Sequence, residues 1–455
     1  MKDRLVKMRS FFMSTNTLPI KSRKDALVRL KQKIKDHEQE IITALMADFN
    51  KPLAETYMTE LLMVYREMDY QIKHIVSHTK TKSASVGIVN LGAKGKIIAQ
   101  PYGLVLIMSP WNYPFLLTIQ PLIGAIAAGN VVMVKPSNYS HHTSLIIKKI
   151  INEVFPPAWV DVVLGGRDVN TELLEQRYDM IFFTGSPSVG RLVMEKASRY
   201  LTPVILELGG KSPCIIDSDA DLDLAAKRIV WGKYLNGGQT CITVDHVYIQ
   251  KQQATEFIER CIKYIKAFYY PNDQLTDDFC VIINDKHFER VVKLIDPNKL
   301  VFGGKYDQEK RLLEPTIMID VKVDDEIMQE EIFGPILPII YFDSVDELIK
   351  QSQTKAKPLA LYYFGQQKKQ IEKIFELTHS GGGCINDVIM HVSSHHLPFG
   401  GVGNSGMGSY HGKKTFDAFT HYRSMFIQSD LLKLNYRFPP YNKITKLIKR
   451  YLLKS

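Results

Sequence analysis

The chain has 455 residues, 45% of them hydrophobic and 23% charged, a balance that fits two or three globular domains and excludes a disordered polymer. Its formal charge of +10 comes from lysines spread along the sequence and denser only near the two ends, so it reads as a solvated surface with local attraction for anions and not as a nucleic-acid footprint. Five cysteines without CxxC spacing argue against a disulfide framework or a zinc site, no run of 18 apolar residues offers a membrane span, and Met1-Lys2-Asp3-Arg4 leads into charged sequence without a secretory apolar core. A cytoplasmic protein with reduced thiols is expected.

Residues 1 to about 80 read as helices. Leu27, Leu30, Ile34, Ile41, Ile42 and Leu45 recur at helical spacing behind the start signal Ser22-Arg23-Lys24-Asp25, and another helix fits Glu55 to His74 after the breaker Lys51-Pro52. From Val86 to Pro101 the pattern turns strand-like around Leu91-Gly92-Ala93-Lys94-Gly95, as an exposed hairpin or arm would. An α/β rhythm follows: a strand at Gly103 to Met108, an apolar stretch from Leu116 to Ala128, a strand at Val131 to Val134 and a helix from Thr143 to Val154. It continues with a strand at Val160 to Leu164, a short helix from Asn170 to Gln176 and a strand at Met180 to Phe183. Such alternation predicts a parallel sheet covered on both faces. The turn Thr184-Gly185-Ser186-Pro187-Ser188-Val189-Gly190 then opens a helix to Arg199, where a pyrophosphate can rest on helix-terminal N–H groups, although the spacing is not GxGxxG.

A helix from Asp221 to Leu235 leads to Asn236-Gly237-Gly238-Gln239-Thr240-Cys241, and a strand begins near Val247. The second rhythm has helices from Ala254 to Phe268 and Asp285 to Ile295, strands near Leu300 and Thr316, and a strand from Ile336 to Phe342. It closes with a helix from Val345 to Gln353, a strand from Leu359 to Phe364, a helix from Lys368 to His379 and Cys384-Ile385-Asn386-Asp387. With no low-complexity linker, the two α/β domains are expected to share a cleft.

An isolated cysteine is by default a small buried hydrophobe. Cys241 departs from that default through its company: a glycine-rich turn, a glutamate in Glu207-Leu208-Gly209-Gly210-Lys211, an amide in Trp111-Asn112-Tyr113 and a glutamate in Glu330-Glu331-Ile332-Phe333-Gly334-Pro335. Together they supply a nucleophile, two carboxylates and an oxyanion donor. Three motifs are set aside. Gly401-Val402-Gly403-Asn404-Ser405-Gly406 spells GxGxxG without the strand and helix that motif requires, and reads as a loop; Gly210-Lys211-Ser212 has Ile205 where a P-loop needs its first glycine. The adjacent pairs His141-His142 and His395-His396 do not have metal-ligand spacing, and no metal is expected.

In order and spacing these motifs resemble the NAD(P)-dependent aldehyde dehydrogenases. The resemblance rests on Pro110-Trp111-Asn112-Tyr113-Pro114, Lys135-Pro136-Ser137, Phe183-Thr184-Gly185-Ser186 with Val189-Gly190, Glu207 to Pro213, Gly238 to Cys241, Glu330 to Pro335, and Pro398 to Gly406. It spans residues 1 to 428, and the block Gly406 to Phe416 resembles the class 3 branch, which includes fatty and other long-chain aldehyde dehydrogenases. The resemblance implies an α/β fold with two doubly wound domains. A Rossmann-like cofactor domain would take residues 1–85 and 100–208, a catalytic domain residues 209–412, a small β oligomerisation arm residues 86–99 and 413–428, and a basic tail residues 429–455. A homodimer is implied as well.

The same resemblance assigns roles. Cys241 is the implied nucleophile, forming a thiohemiacetal and then a thioester; Asn112 and the Cys241 N–H hold the oxyanion; Glu207 activates the hydrolytic water. Cofactor contacts are implied for Lys135, Ser137, Asn138, Gly185, Ser186, Gly190, Leu208, Glu331 and Phe333, and a place at the substrate entrance for Tyr113, His411 and Ile444. Asn386 reads equally as a loop brace or a catalytic amide. Asn138 stands where many relatives carry a glutamate that repels a 2′-phosphate, so NAD is favoured and NADP tolerated. Val244 replaces a proline often found three residues after the nucleophile. The expected substrate is a medium- or long-chain or other apolar aldehyde, with a polyene aldehyde of pigment synthesis as the alternative and a non-catalytic homologue as a remote third. Beyond Pro439-Pro440, Ile444, Leu447, Ile448, Tyr451 and Leu452 form one helical stripe with Lys443, Lys446, Lys449 and Arg450 at other positions, a pattern that serves either packing or peripheral contact with anionic membrane.

Overall fold

The computed structural model describes residues 1–87, 90, 92–429, 438–441, 445–446 and 449–450. Two compact units emerge, residues 1–78 with 101–420 and residues 79–100 with 421–455. The smaller contains a three-stranded sheet in the order Lys82–Ala84, Lys94–Pro101, Thr420–Ile427, its first two strands antiparallel as the hairpin reading requires. The arm expected at 86–99 and 413–428 is thus offset: residues 413–418 form the helix Lys413–Ala418 inside the larger unit, packed on the helix Leu116–Ala128. The stripe Ile444, Leu447, Ile448, Tyr451 and Leu452 lies outside the described residues.

The larger unit is built on two sheets flanked by helices. In the first the order is Gly406–Met407, Val204–Leu208, Met180–Gly185, Leu104–Met108, Val131–Lys135, Val160–Val162, parallel except for the antiparallel edge pair at 406–407. Leu104–Met108 and Val131–Lys135 are buried at every position, as runs of branched apolar residues covered on both faces must be. The helix Leu116–Ala128 packs on these two strands, His141–Val154 on Val160–Val162, and Pro187–Ser198 on Met180–Gly185 and Val204–Leu208.

The second sheet runs Leu300–Phe302, Thr316–Met318, Ile336–Tyr341, His246–Ile249, Pro213–Ile216, Ala360–Phe364, Gly382–Ile385, again parallel but for one antiparallel edge, at 300–302. Tyr248, Phe288, Val291, Ile336 and Leu361 belong to the apolar core on this sheet. The helix Leu222–Tyr234, which leads to the cysteine turn, starts on the Asp221 side chain; it accepts hydrogen bonds from the N–H groups of Asp223 and Leu224 at 3.0 Å each.

Several strands escaped the sequence pattern, two of them interior to the sheets. Val204–Leu208 has a glutamate near its end, and Pro213–Ile216 begins on a proline only five residues later, with Gly209-Gly210 between them. The segment read as a helix from Glu55 is a longer one from Leu53 to Thr79, interrupted by a π turn at Tyr57–Leu61.

Candidate active site

In the larger unit a cavity of about 1330 Å³ is lined by Asn112, Glu207, Cys241 and Glu331 among others. Each side chain is delivered by a loop or strand end whose geometry follows from its sequence. Past Tyr234 the chain turns through three successive left-handed residues, Asn236 (φ 56°), Gly237 (φ 60°) and Gly238 (φ 75°). Asparagine tolerates that region and glycine occupies it freely. A Cβ on Gly238 would collide with the Gly334 carbonyl, so the turn lies wedged against the Gly334-Pro335 loop. Gln239 pins it from below, donating to the Asn236 and Val281 carbonyls at 3.0 Å each and accepting from the Ile283 N–H at 3.1 Å.

Cys241 emerges half-buried on the cavity wall. Burial pushes its thiol up to about 12, helped by the negative charges of Glu331 and Glu207, while its own N–H and that of Ile242 pull the other way. Asn112 is buried in the loop after the strand Leu104–Met108; its Nδ2 donates to the Gln239 carbonyl at 3.0 Å, and its carbonyl accepts from Asn236 Nδ2 at 2.9 Å. The amide and the cysteine turn are thereby tied directly together. Glu207 sits between neighbouring strands, opposite Thr184 and Gly406. Both its oxygens are buried without a hydrogen-bond partner, and burial alone lifts its proton affinity well above the usual carboxylate range.

The Glu331 carboxylate occupies the space a side chain at position 209 would fill, so any larger residue there would displace it. Its Oε1 is buried and unpartnered, and burial followed by the Asp245 charge raises it to about 8. The loop carrying it is held by residues the sequence reading passed over. Lys211, given no role of its own there, donates to the Ile327 and Glu330 carbonyls at 2.9 and 2.8 Å and pairs with buried Asp245 at 2.6 Å. Asp245 in turn accepts from the Ile332 N–H at 2.9 Å, and Arg290 donates to the Ile332 carbonyl at 2.6 Å. Phe333 (φ 50°) meets Trp111 edge-on at 5.3 Å.

Gly185, Ser186, Leu208, Phe333, Tyr113 and His411 also line the cavity. Ser186 caps the helix Pro187–Ser198 through Val189 N–H at 3.5 Å, and a Cβ on Gly190 would come within 2.6 Å of Leu208, so the helix packs closely on that strand. Lys135, Ser137, Asn138 and Gly190 are not on this lining. Lys135 is buried at the end of its strand, its ammonium donating to the Pro136 carbonyl at 2.8 Å and lowered by burial to about 8; Asn138 is exposed. The entrance assignment needs correction for two residues: Tyr113 and His411 are buried wall, not rim. Tyr113 bonds Thr240 at 2.6 Å, and His411 stacks on Phe399 at 5.2 Å, where burial lowers it to about 4. Ile444 lies outside the described residues. Asn386 braces a loop, bonding both the N–H and the carbonyl of Gly365 at 2.9 Å.

The sequence profile of the aldehyde dehydrogenase family matches residues 4–425. The chain belongs to that family. This aldehyde dehydrogenase is 42% identical to mouse aldehyde dehydrogenase family 3 member A2 over all of its own length and 95% of that protein's. It is 43% identical to the dog aldehyde dehydrogenase named dimeric and NADP-preferring, covering 95% and 96% of the two chains. A Staphylococcus aureus 4,4'-diaponeurosporen-aldehyde dehydrogenase is 41% identical over 97% of each. Among solved structures, that of the substrate-bound state of Staphylococcus aureus AldH superposes with a TM-score of 0.97 at 40% identity over 99% of both chains. The class 3 resemblance and the two α/β domains therefore hold, and the protein is an NAD(P)-dependent oxidoreductase acting on aldehydes.

Proposed function

We propose that this enzyme oxidises long apolar aldehydes to carboxylic acids through Cys241, with Asn112 and the Cys241 N–H as oxyanion donors and Glu207 as the base. The observation that carries this reading is a thiol and an unpartnered carboxyl lining one cavity beside an amide tied to the cysteine turn. A thiol held up to about 12 is a weak nucleophile at neutral pH, so its proton must pass to solvent as it attacks, leaving Glu207 for the later water step. The sulfur bonds to the aldehyde carbon, and the charge that develops on the oxygen meets the preorganised donors, each worth about 2.7–4 kcal/mol. Bound NAD(P) supplies the hydride acceptor. Cys241 then retains the acyl group as a thioester; Glu207 takes a proton from water, the water oxygen bonds to the acyl carbon, and the sulfur leaves.

The residues present fit a dinucleotide. Glu331 offers a buried acceptor without a partner for a ribose hydroxyl, and Gly185, Ser186 and Arg191 line the cavity at the start of a capped helix. Asn138 carries no charge to repel a 2′-phosphate, and one relative is named NADP-preferring, so both cofactors are taken, with NAD favoured. Met58, Leu62, Met63, Leu116, Trp231 and Ile389 give the cavity an apolar wall suited to an alkyl or polyene chain, and a relative named for a diaponeurosporen aldehyde supports the polyene arm. A homodimer is consistent with the relative named dimeric, and the basic tail, read from sequence, brings the enzyme to anionic membrane. Among the described residues no helix is long and apolar enough to cross one.

Cys241→Ala should abolish aldehyde-dependent NAD(P)H formation while cofactor binding persists. Substantial residual turnover, with faster iodoacetamide labelling at Cys214 or Cys384, would move the nucleophile elsewhere.

A further inference from the structure

Of the four carboxylates on the helix Leu53–Thr79, Glu55 and Glu60 lie nearest its start, five residues apart. At α-helical pitch, side chains five apart diverge by about 140° around the axis. The π turn at Tyr57–Leu61 closes with an i→i+5 hydrogen bond, which adds a residue to the turn and brings the two positions back toward one side. Each carboxylate then grips a different loop. Glu55 Oε2 accepts from the Asn236 N–H at 2.9 Å, in the left-handed turn that presents Cys241. Glu60 Oε2 accepts from the Leu116 N–H at 2.7 Å, at the end of the loop that presents Asn112. Fully buried Lys51 pairs with Glu60 Oε1 at 2.9 Å and lies 4.1 Å from the centre of the Tyr113 ring, one residue from Asn112.

We propose that Glu55 and Glu60 are positioning residues that set the separation of the two oxyanion donors, the π turn acting as the spacer between them. The inference rests on the assignment of Asn112 and the Cys241 N–H as those donors. Neither carboxylate is itself on the cavity lining, whereas Met58 and Thr59 of the π turn are, so the effect passes through the backbone groups they hold. Without Glu55, the Asn236 N–H loses its acceptor; the Asn236 side chain, which donates to both the Asn112 and Gln239 carbonyls, is then free to shift. A displacement of about 1 Å between donors costs roughly tenfold to hundredfold in rate.

The test is a double-mutant cycle on the intact enzyme. Asn112→Ala should lower kcat by about 10²–10³; Glu55→Ala should lower it tenfold or more; and Glu55→Ala added to Asn112→Ala should change little further, because one route carries both effects. Cofactor Kd, read from nucleotide fluorescence, should stay within twofold, and Glu55→Gln, which keeps an acceptor oxygen at the same reach, should restore most of the rate. Additive losses, a cofactor Kd that weakens in step with kcat, or a Glu55→Gln variant as slow as the alanine would each reduce Glu55 to structural support. If Asn112→Ala itself leaves kcat intact, the oxyanion assignment falls first.

Discussion

Glu207 carries both oxygens into a space where neither finds a donor, and burial raises its proton affinity far above that of a solvated glutamate. As the proposed base for thioester hydrolysis it would work only when deprotonated, so kcat, which includes that step, should rise with pH along a limb displaced above the ordinary value of 4.5. Glu207→Gln should give one stoichiometric burst of NADH at every pH and then stall; mass spectrometry should find the acyl group on Cys241. A mutant that loses even the first turnover, with no adduct, would place Glu207 at the deprotonation of the thiol. That Cys241, Glu207, Asn112 and Glu331 would be brought to one cavity was legible in the sequence because each sits in a motif with its own turn chemistry. Lys211, Asp245 and Arg290 were not: their work is done on backbone groups from 41 to 119 residues away, and nothing in local spacing records such partners.

At the level of elements, long periodic helices and fully apolar strands could be read directly, while Val204–Leu208 and Pro213–Ile216 were hidden by the Gly209-Gly210 break between them. The π turn was invisible for a different reason. A spacing of five matches neither helical nor strand periodicity, so nothing in the pattern sets Glu55 and Glu60 apart as a pair. The strand Val131–Lys135 and the turn after it bear on cofactor choice. Asn138→Glu should reduce kcat/KM for NADP much more than for NAD, since only NADP carries a phosphate to repel. Lys135, lowered to about 8 by burial, loses its charge as pH rises through that value, so any NADP preference should decline over the same interval. Equal effects of the substitution on both cofactors would show that position 138 does not face the ribose.

For the whole molecule, two α/β domains sharing a cleft were foreseeable from the double rhythm of strands and helices, but the make-up of the cavity wall was not. Its wall draws on residues from Met58 to His411, and its shape depends on which strand ends meet. The apolar part of that wall, formed by Met58, Leu62, Met63, Leu116, Trp231 and Ile389, should favour long substrates. In a series of alkyl aldehydes with one polyene aldehyde, kcat/KM should climb with apolar length, each added methylene contributing up to about 0.8 kcal/mol until the wall is covered. Deleting residues 441–455 should weaken sedimentation with anionic liposomes and depress long-chain turnover more than short. If binding and chain-length preference are both unchanged, the tail packs on protein.

Gathering Cys241, Glu207 and Glu331 in one desolvated place also bears on how firmly the chain stays folded. All three are acids whose proton affinity is raised in the native state, Glu331 to about 8 and Cys241 to about 12. Between the ordinary and the raised value the folded form binds more protons than the unfolded one, so stability falls as pH climbs through that interval. For Glu331 the interval runs from 4.5 to about 8. The alkaline shift that arms the base and the thiol therefore loosens the scaffold that holds them, and thermal tolerance and catalytic readiness move in opposite directions on the same titration.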